Sequence, residues 1–202
     1  MLTRPQNLPA SLHAVRNRVA AAAVAAGRDP ASVTLVGVSK TQPASAVRAA
    51  IEAGLADFGE NYVQEAVAKI DEVAAPGVAW HLIGPLQSNK TREVAERFQW
   101  VHTVDREKIA RRLSEQRPHY APPLQVCLQV RLGDEPTKSG AAPEALEALA
   151  AQVAPLPRLQ LRGLMCIPPP ASDEAAQRAH AAVRSAARFI PSTSDATLSR
   201  RW

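Results

Sequence analysis

A lysine stands at the end of the first strongly apolar run of the sequence. Residues 33–39 read VTLVGVS, and Lys40 follows directly. A β-branched apolar run of this length is typical of a strand buried on both faces, so we expect hydrophobic neighbours around the stem of Lys40. A lysine in such surroundings has a lowered pKa and can attack a carbonyl carbon to form a Schiff base. A lysine that reaches water from the strand end is the alternative, and position alone leaves both open.

Polar side chains are also concentrated in residues 80–90, WHLIGPLQSNK. A histidine, a glutamine, an asparagine and a lysine follow closely on an apolar run there, and Gly-Pro forces a turn between them. The run is equally consistent with a strand–turn–helix junction in which Ser88 or Asn89 caps the next helix. His81 taken alone is predicted to be a hydrogen-bonded core histidine rather than a catalyst.

A third polar stretch covers residues 131–140, RLGDEPTKSG. It combines two acids, Lys138 and two glycines after an apolar run. Such a stretch is either a mobile surface loop or a ligand contact, and its composition leaves both readings open.

Short β-rich runs alternate with helical patterns along the sequence. The predicted strands begin near residues 33, 55, 78, 100, 124 and 161, most of them roughly 22 to 24 residues apart. Helical patterns over 8–26, 43–53, 62–75, 89–98, after 105, 143–154 and 172–187 separate them. This alternation predicts βαβ units and a parallel sheet. No glycine-rich nucleotide fingerprint follows a strand, so we expect an α/β TIM-type (β/α) barrel with about six of its eight units.

The charge balance raises the question of nucleic acid. The chain has 24 Lys and Arg against 19 Asp and Glu, and its pI is near 9.7. The densest basic run, Arg106–Arg117, also contains acids and has helical apolar spacing, so it is predicted to be a solvated helix face. Aromatic residues are only 4%, which leaves few platforms for base stacking. We therefore predict no nucleic-acid partner.

Cysteine usage and hydropathy bear on the compartment. Cys127 and Cys166 lie in the apolar runs LQVCLQV and LRGLMCI, and are predicted to be buried and unlinked. No apolar segment near the N-terminus is typical of a signal peptide, and no apolar run approaches ~18 residues. The sequence thus predicts a cytoplasmic protein without a membrane partner.

Several of these segments, in the same order, resemble the pyridoxal phosphate homeostasis protein family. The resemblance covers roughly residues 8–188 and is carried by VGVSKTQPASAVRAAIEAG, DFGENYVQEAVAKI, WHLIGPLQSNK, VHTVDREKIARRLSEQ, the KSG of 138–140 and LRGLMCIP. It implies a barrel of the alanine racemase N-terminal domain type and pyridoxal 5'-phosphate (PLP) as the cofactor. By the same resemblance, Lys40 carries PLP as an aldimine, Asn61 lines the pocket, Lys138 is a second lysine near the cofactor, and Met165 faces it from the end of strand six.

The resemblance stops after about residue 188. Residues 191–202, PSTSDATLSRRW, do not match the family's seventh and eighth strands, whose loops resemble those that hold the PLP phosphate. This predicts a barrel domain over residues 1–190 followed by a divergent tail over 191–202, and weaker retention of PLP.

The function that the resemblance implies is PLP binding and a part in intracellular PLP homeostasis, without known catalytic turnover. PLP-dependent apo-enzymes are the expected protein partners. The alternatives are a racemase-like PLP enzyme and a degenerate copy that no longer binds PLP well.

Overall fold

The computed structural model describes residues 7–131 and 139–167, together with Asp173 and Ala175. The chain divides into two compact units, Met1–His81 and Leu82–Trp202. Both units consist of parallel strands alternating with helices, as the strand–helix rhythm of the sequence predicts.

The first unit consists of three strands and three helices. β1 and β2 pair in parallel, with Gly37 opposite Phe58 and Val38 opposite Gly59. β3 follows on the other side of β2. The elements are α1 (Leu8–Ala25), β1 (Gly37–Val38), α2 (Ala44–Glu52), β2 (Asp57–Glu60), α3 (Val63–Val73) and β3 (Ala79–Leu82), the last of which reaches the junction of the units.

Local sequence explains where these helices end. Gly27 and Gly54 follow α1 and α2 with φ values of +67° and +86°. This left-handed region suits glycine, which has no Cβ to clash with the preceding turn. The side chain of Asn7 accepts a hydrogen bond from the backbone N–H of Ala10 at 3.2 Å and so caps the start of α1.

In the described part of the second unit, three further strands follow in chain order. β4 pairs in parallel with β5, and β5 pairs in parallel with β6. Its core is formed by fully buried side chains such as Phe98, Leu113 and Leu128. The elements are α4 (Thr91–Arg97), β4 (Trp100–Val104), α5 (Glu107–Gln116), β5 (Leu124–Gln129), α6 (Leu146–Val153) and β6 (Leu159–Met165).

The first strand departs most from its prediction. Only Gly37 and Val38 of the expected run 33–39 form β1, and Val33 and Val38 are exposed rather than buried on both faces. Among the described residues β1 is at the end of the strand order and has β2 as its one neighbour. Residues 33–36 therefore lack the ladder of hydrogen bonds that would extend the strand.

The predicted cap of α4 is wrong. Ser88 and Asn89 belong to a short 3₁₀ turn (Ser88–Lys90) that leads into α4, and the Thr91 hydroxyl donates to the Ser88 carbonyl instead. Before α5, the Asp105 carboxylate pairs with the guanidinium of Arg106 at 2.7 Å, and the N-cap residue Arg106 makes no side-chain cap.

The cysteine prediction holds in part. Cys127 and Cys166 are both free thiols, and Cys127 is buried in β5. Burial raises the pKa of the Cys127 thiol to about 11, so it stays protonated at neutral pH. Cys166 is only half-buried because it lies one residue beyond the end of β6.

The basic run 106–117 is a solvated helix face only in part. Arg106, Lys108 and Arg111 are exposed, as predicted. Arg112 instead donates to the Ser88 carbonyl, and Arg117 is buried with 5% of its surface exposed. The run therefore stabilises the second unit as well as facing water. Within the described residues, no helix is both long and apolar enough to cross a bilayer.

Candidate functional site

Lys40 and Asn61 follow two paired strands at the same edge of the first unit. The parallel register of β1 and β2 brings their carboxyl ends together, and the Ser39 N–H continues it by donating to the Gly59 carbonyl at 3.0 Å. Lys40 is exposed and Asn61 is half-buried. The structure thus brings together two of the predicted site residues, in the place where barrels of this type carry their functional groups.

The amine of Lys40 has no polar partner among the described residues. Within residues 7–131 and 139–167 it makes no hydrogen bond or ion pair, and its side chain is not enclosed by hydrophobic neighbours as the sequence predicted. In the part of the chain that the structure describes, β1 is short and Val38 is exposed, so no apolar wall forms around Lys40 there. Lys40 is therefore an accessible primary amine.

Next to Ser39, the residue before Lys40, lies a second lysine whose three N–H donors all have hydrogen-bond partners. Lys69, on the inner face of α3, is 6% exposed. Its Nζ donates to Glu60 Oε1 at 2.6 Å, to the Ser39 carbonyl at 2.7 Å and to Glu65 Oε1 at 3.1 Å. An ammonium has three N–H donors, and all three are used.

Glu60 is the buried acid of this cluster. Its Oε1 atom accepts hydrogen bonds from both Lys69 and the Ser39 hydroxyl, the latter at 2.7 Å. Its Oε2 atom is buried without a partner among the described residues. Glu60 is the end of β2 and has no exposed surface, so the ion pair with Lys69 is shielded from water.

No single motif of the sequence predicts Glu60, Glu65 and Lys69 in one cluster. A signal was present, however. The buried positions of α3 are Val63, Ala66, Lys69 and Val73, and a lysine at a position with this spacing has to be paired inside the protein.

The remaining two predicted site residues lie elsewhere in the chain. Met165 is the last residue of β6 in the second unit, is half-buried, and is opposite Gln129 of β5. Its carbonyl accepts from the Val130 N–H at 2.9 Å. Lys138 lies outside the described residues, as do most of the stretch 131–140 and the predicted helix over 172–187. The roles of Asn61, Lys138 and Met165 stay predictions.

His81 is the hydrogen-bonded core histidine that the sequence predicted. It is 2% exposed, and its Nε2 atom lies 3.0 Å from Asp57 Oδ1. Burial lowers the pKa of His81 and outweighs the opposing effect of the Asp57 carboxylate. The imidazole is therefore held neutral, as a donor to Asp57 rather than as half of an ion pair.

A pH dependence of stability follows from this lowered pKa. The unfolded chain binds a proton at His81 near the ordinary pKa of about 6.5, whereas the folded chain binds it only at lower pH. We expect His81 to make its full contribution to the free energy of unfolding above a pH of about 6.5. This contribution should be lost as the pH falls from there toward the lower pKa of the folded chain. Urea unfolding of the wild type and of His81→Gln across this pH window should show that the free energy of unfolding changes less steeply with pH in the variant. The exposed His119→Gln is the matched control, and an equal slope in all three would contradict the prediction.

Comparison with known proteins supports the fold and gives the family. The sequence profile of the alanine racemase N-terminal domain matches residues 10–199. The pyridoxal phosphate homeostasis protein of Pseudomonas aeruginosa is 63% identical over 165 residues, which cover 82% of this chain and 72% of that protein. The protein of the same name from Escherichia coli K12 is 55% identical over 166 residues, covering 81% and 71%.

Solved structures also match the fold of this chain. PipY of Synechococcus elongatus, determined with PLP bound, is 39% identical with a TM-score of 0.72, covering 86% of this chain and 79% of that one. The Clostridium difficile alanine racemase, at 13% identity and a TM-score of 0.63, shows the fold alone. These matches confirm the predicted α/β fold of TIM-barrel type. The chain therefore belongs to the pyridoxal phosphate homeostasis protein family, with the fold of the alanine racemase N-terminal domain.

Proposed function

We propose that this protein binds PLP covalently through Lys40 and takes part in PLP homeostasis. The observation that carries the proposal is the free amine of Lys40 at the carboxyl edge of β1, beside Asn61. A primary amine without a competing partner is the group that an aldehyde requires. The PLP-bound structure of PipY and the names of the two bacterial relatives support the same cofactor.

The residues present fit one end of the cofactor. Lys40 would hold the aldehyde carbon, and the amide of Asn61 is a donor and acceptor at the same edge. Lys69 does not compete for the aldehyde, because its three N–H donors are committed to Ser39, Glu60 and Glu65. When bound, PLP supplies an electron-withdrawing ring that stabilises carbanions. The contribution of Lys138 and Met165 to the pocket is part of the proposal.

The finer parts of the function are also proposals. We propose that the protein holds and delivers PLP without turning over a substrate, and that PLP-dependent apo-enzymes receive it. The names of the relatives, which describe homeostasis rather than a reaction, support this role. We propose the cytoplasm as its compartment, in line with two free thiols. The division into a domain over 1–190 and a tail over 191–202 remains a prediction.

Borohydride reduction in the presence of PLP tests the proposal. We expect the reduced adduct at Lys40 and a near-visible absorbance band before reduction, because Lys40 is the accessible, unpaired amine of this edge. Peptide mass mapping locates the adduct. Lys40→Ala should lose both signals, while Lys108→Ala, which removes an exposed lysine of α5, should keep them.

Two results would count against the proposal. Dominant labelling at Lys69, Lys90 or Lys138 would show that Lys40 is not the anchor. Turnover of D- or L-alanine by the PLP-loaded protein would favour the racemase-like enzyme over a carrier.

A further inference from the structure

We propose that Lys69, acting through Glu60 and Glu65, is a positioning residue that fixes the backbone on both sides of Lys40. The inference rests on the proposed function, since it concerns how Lys40 is presented to PLP. Attachment of PLP to Lys40 does not by itself require the buried ion-paired cluster of Lys69, Glu60 and Glu65, and positioning gives this cluster a role.

On the N-terminal side of Lys40, the cluster holds Ser39 at two atoms. The Ser39 carbonyl accepts from Lys69 Nζ at 2.7 Å, and the Ser39 hydroxyl donates to Glu60 Oε1 at 2.7 Å. Ser39 is itself buried, with 6% of its surface exposed. The residue that precedes Lys40 is thus anchored through both its main chain and its side chain.

On the C-terminal side, the cluster holds Thr41. The Thr41 N–H donates to Glu65 Oε1 at 2.7 Å, and the same oxygen accepts from Lys69. Thr41 has φ of +63°, which is unfavourable for a β-branched residue. Such a conformation persists only where the surroundings hold it. Among the described residues it is held by the bond to Glu65 and by the turn hydrogen bond that the Gln42 N–H donates to the Ser39 carbonyl at 3.0 Å.

Lys69 therefore links the two anchors. One ammonium joins the Ser39 carbonyl, Glu60 and Glu65, so the residues before and after Lys40 are connected through a single buried atom. Lys40 itself makes no contact with this cluster that would hold its side chain. The direction in which its amine leaves the turn is consequently set by the backbone that Lys69 fixes.

A role in stability alone does not account for the arrangement. A buried ion pair contributes little more to stability than apolar residues of the same size, and here it is combined with an unfavourable backbone conformation at Thr41. The ion pair and the Thr41 conformation both involve the residues that directly precede and follow Lys40. Precise placement of a functional group is the property that such a supporting shell provides.

The rate of PLP attachment at Lys40 is the measurement that tests this role. Glu65→Ala removes the acceptor of the Thr41 N–H and leaves the Lys69–Glu60 pair in place. We expect attachment, followed by the near-visible absorbance, to slow by about tenfold, equivalent to ~1.4 kcal/mol. Glu65→Gln keeps a carbonyl acceptor, so its rate of PLP attachment should be closer to the wild-type rate than that of Glu65→Ala. Glu72→Ala, on the same helix but paired with the exposed Arg48, is the matched control and should leave the rate unchanged.

A second reagent separates positioning from folding. Reductive methylation with formaldehyde needs an accessible amine but no defined approach, so the labelling of Lys40 by formaldehyde should be the same in wild type and Glu65→Ala. If Glu65→Ala unfolds, Lys69 will also become labelled. Thr41→Pro then replaces it. Proline has no N–H to donate to Glu65 and cannot adopt the positive φ of Thr41, whereas the Lys69–Glu60 pair stays in place. It should slow PLP attachment with formaldehyde labelling unchanged.

The outcomes distinguish the two proposals. A wild-type chain that does not attach PLP at Lys40 overturns the proposed function and this inference with it. Normal attachment in the wild type, with the same rate in folded Glu65→Ala or Thr41→Pro, overturns the positioning role alone. Slower PLP attachment with unchanged formaldehyde labelling supports it.

Discussion

Replacing Lys69 with methionine is expected to lower the free energy of unfolding by about 3–5 kcal/mol, the usual cost of breaking a buried ion pair from one side. The substitution keeps the length of the side chain but leaves the Glu60 carboxylate buried, with no exposed surface and no counter-charge. Urea unfolding followed by far-UV circular dichroism measures the change.

Two further variants make this result interpretable. Arg48→Met removes an ion pair with Glu72 that is exposed on both sides, and should change stability by less than about 1 kcal/mol. The double variant Lys69→Met/Glu60→Gln removes both charges and should recover part of the loss. A loss of under about 1 kcal/mol in Lys69→Met would mean that water reaches Glu60 and that the pair is not shielded.

Arg117→Met is the second substitution with a large expected effect. Buried Arg117 follows α5 and donates to the carbonyls of Ala95 and Phe98, both at 2.7 Å, and of Pro122 at 2.9 Å. Each buried carbonyl left without a donor costs about 1–3 kcal/mol. The carbonyls of Ala95 and Phe98 are the buried ones, so we expect a loss of at least about 2 kcal/mol in the free energy of unfolding.

Arg117→Lys and Arg111→Met complete the comparison. Lysine keeps the charge but lacks the planar fork that reaches three acceptors. The free energy of unfolding of Arg117→Lys should therefore lie between those of the wild type and Arg117→Met. Arg111 is on the exposed face of α5 and pairs with Glu107, and its replacement should cost less than about 1 kcal/mol. Equal losses for Arg117→Met and Arg111→Met would show that the basic run is solvated throughout.

The positions of most elements could be predicted because their signals are local. Apolar spacing predicts α3 and α5, and glycine predicts the ends of α1 and α2. The strand–helix rhythm predicts Lys40 at the end of the first strand, and the family resemblance adds Asn61 to the same site. The burial of Cys127 and the hydrogen-bonded state of His81 followed from apolar neighbours in the same way.

What could not be predicted depends on contacts between distant residues. Whether residues 33–36 extend β1 depends on a neighbouring strand, which the run itself does not reveal. Arg117 looked like one more basic residue of a solvated helix, because its three carbonyl acceptors come from separate segments. The partners of Lys69 come from β2, from α3 and from the residue before Lys40, so only the fold brings them together.

The main chain is joined across the ends of the stretch 132–138. The Arg131 N–H donates to the Ala141 carbonyl at 2.9 Å, and the Ala141 N–H donates to the Gln129 carbonyl at 2.8 Å. Gly140 permits this approach, since a Cβ there would lie 2.8 Å from the Arg131 nitrogen. Both bonds use main-chain atoms alone. Side-chain changes at positions 129, 131 and 141 should therefore leave this connection intact, whereas any residue with a Cβ in place of Gly140 would have to displace the backbone.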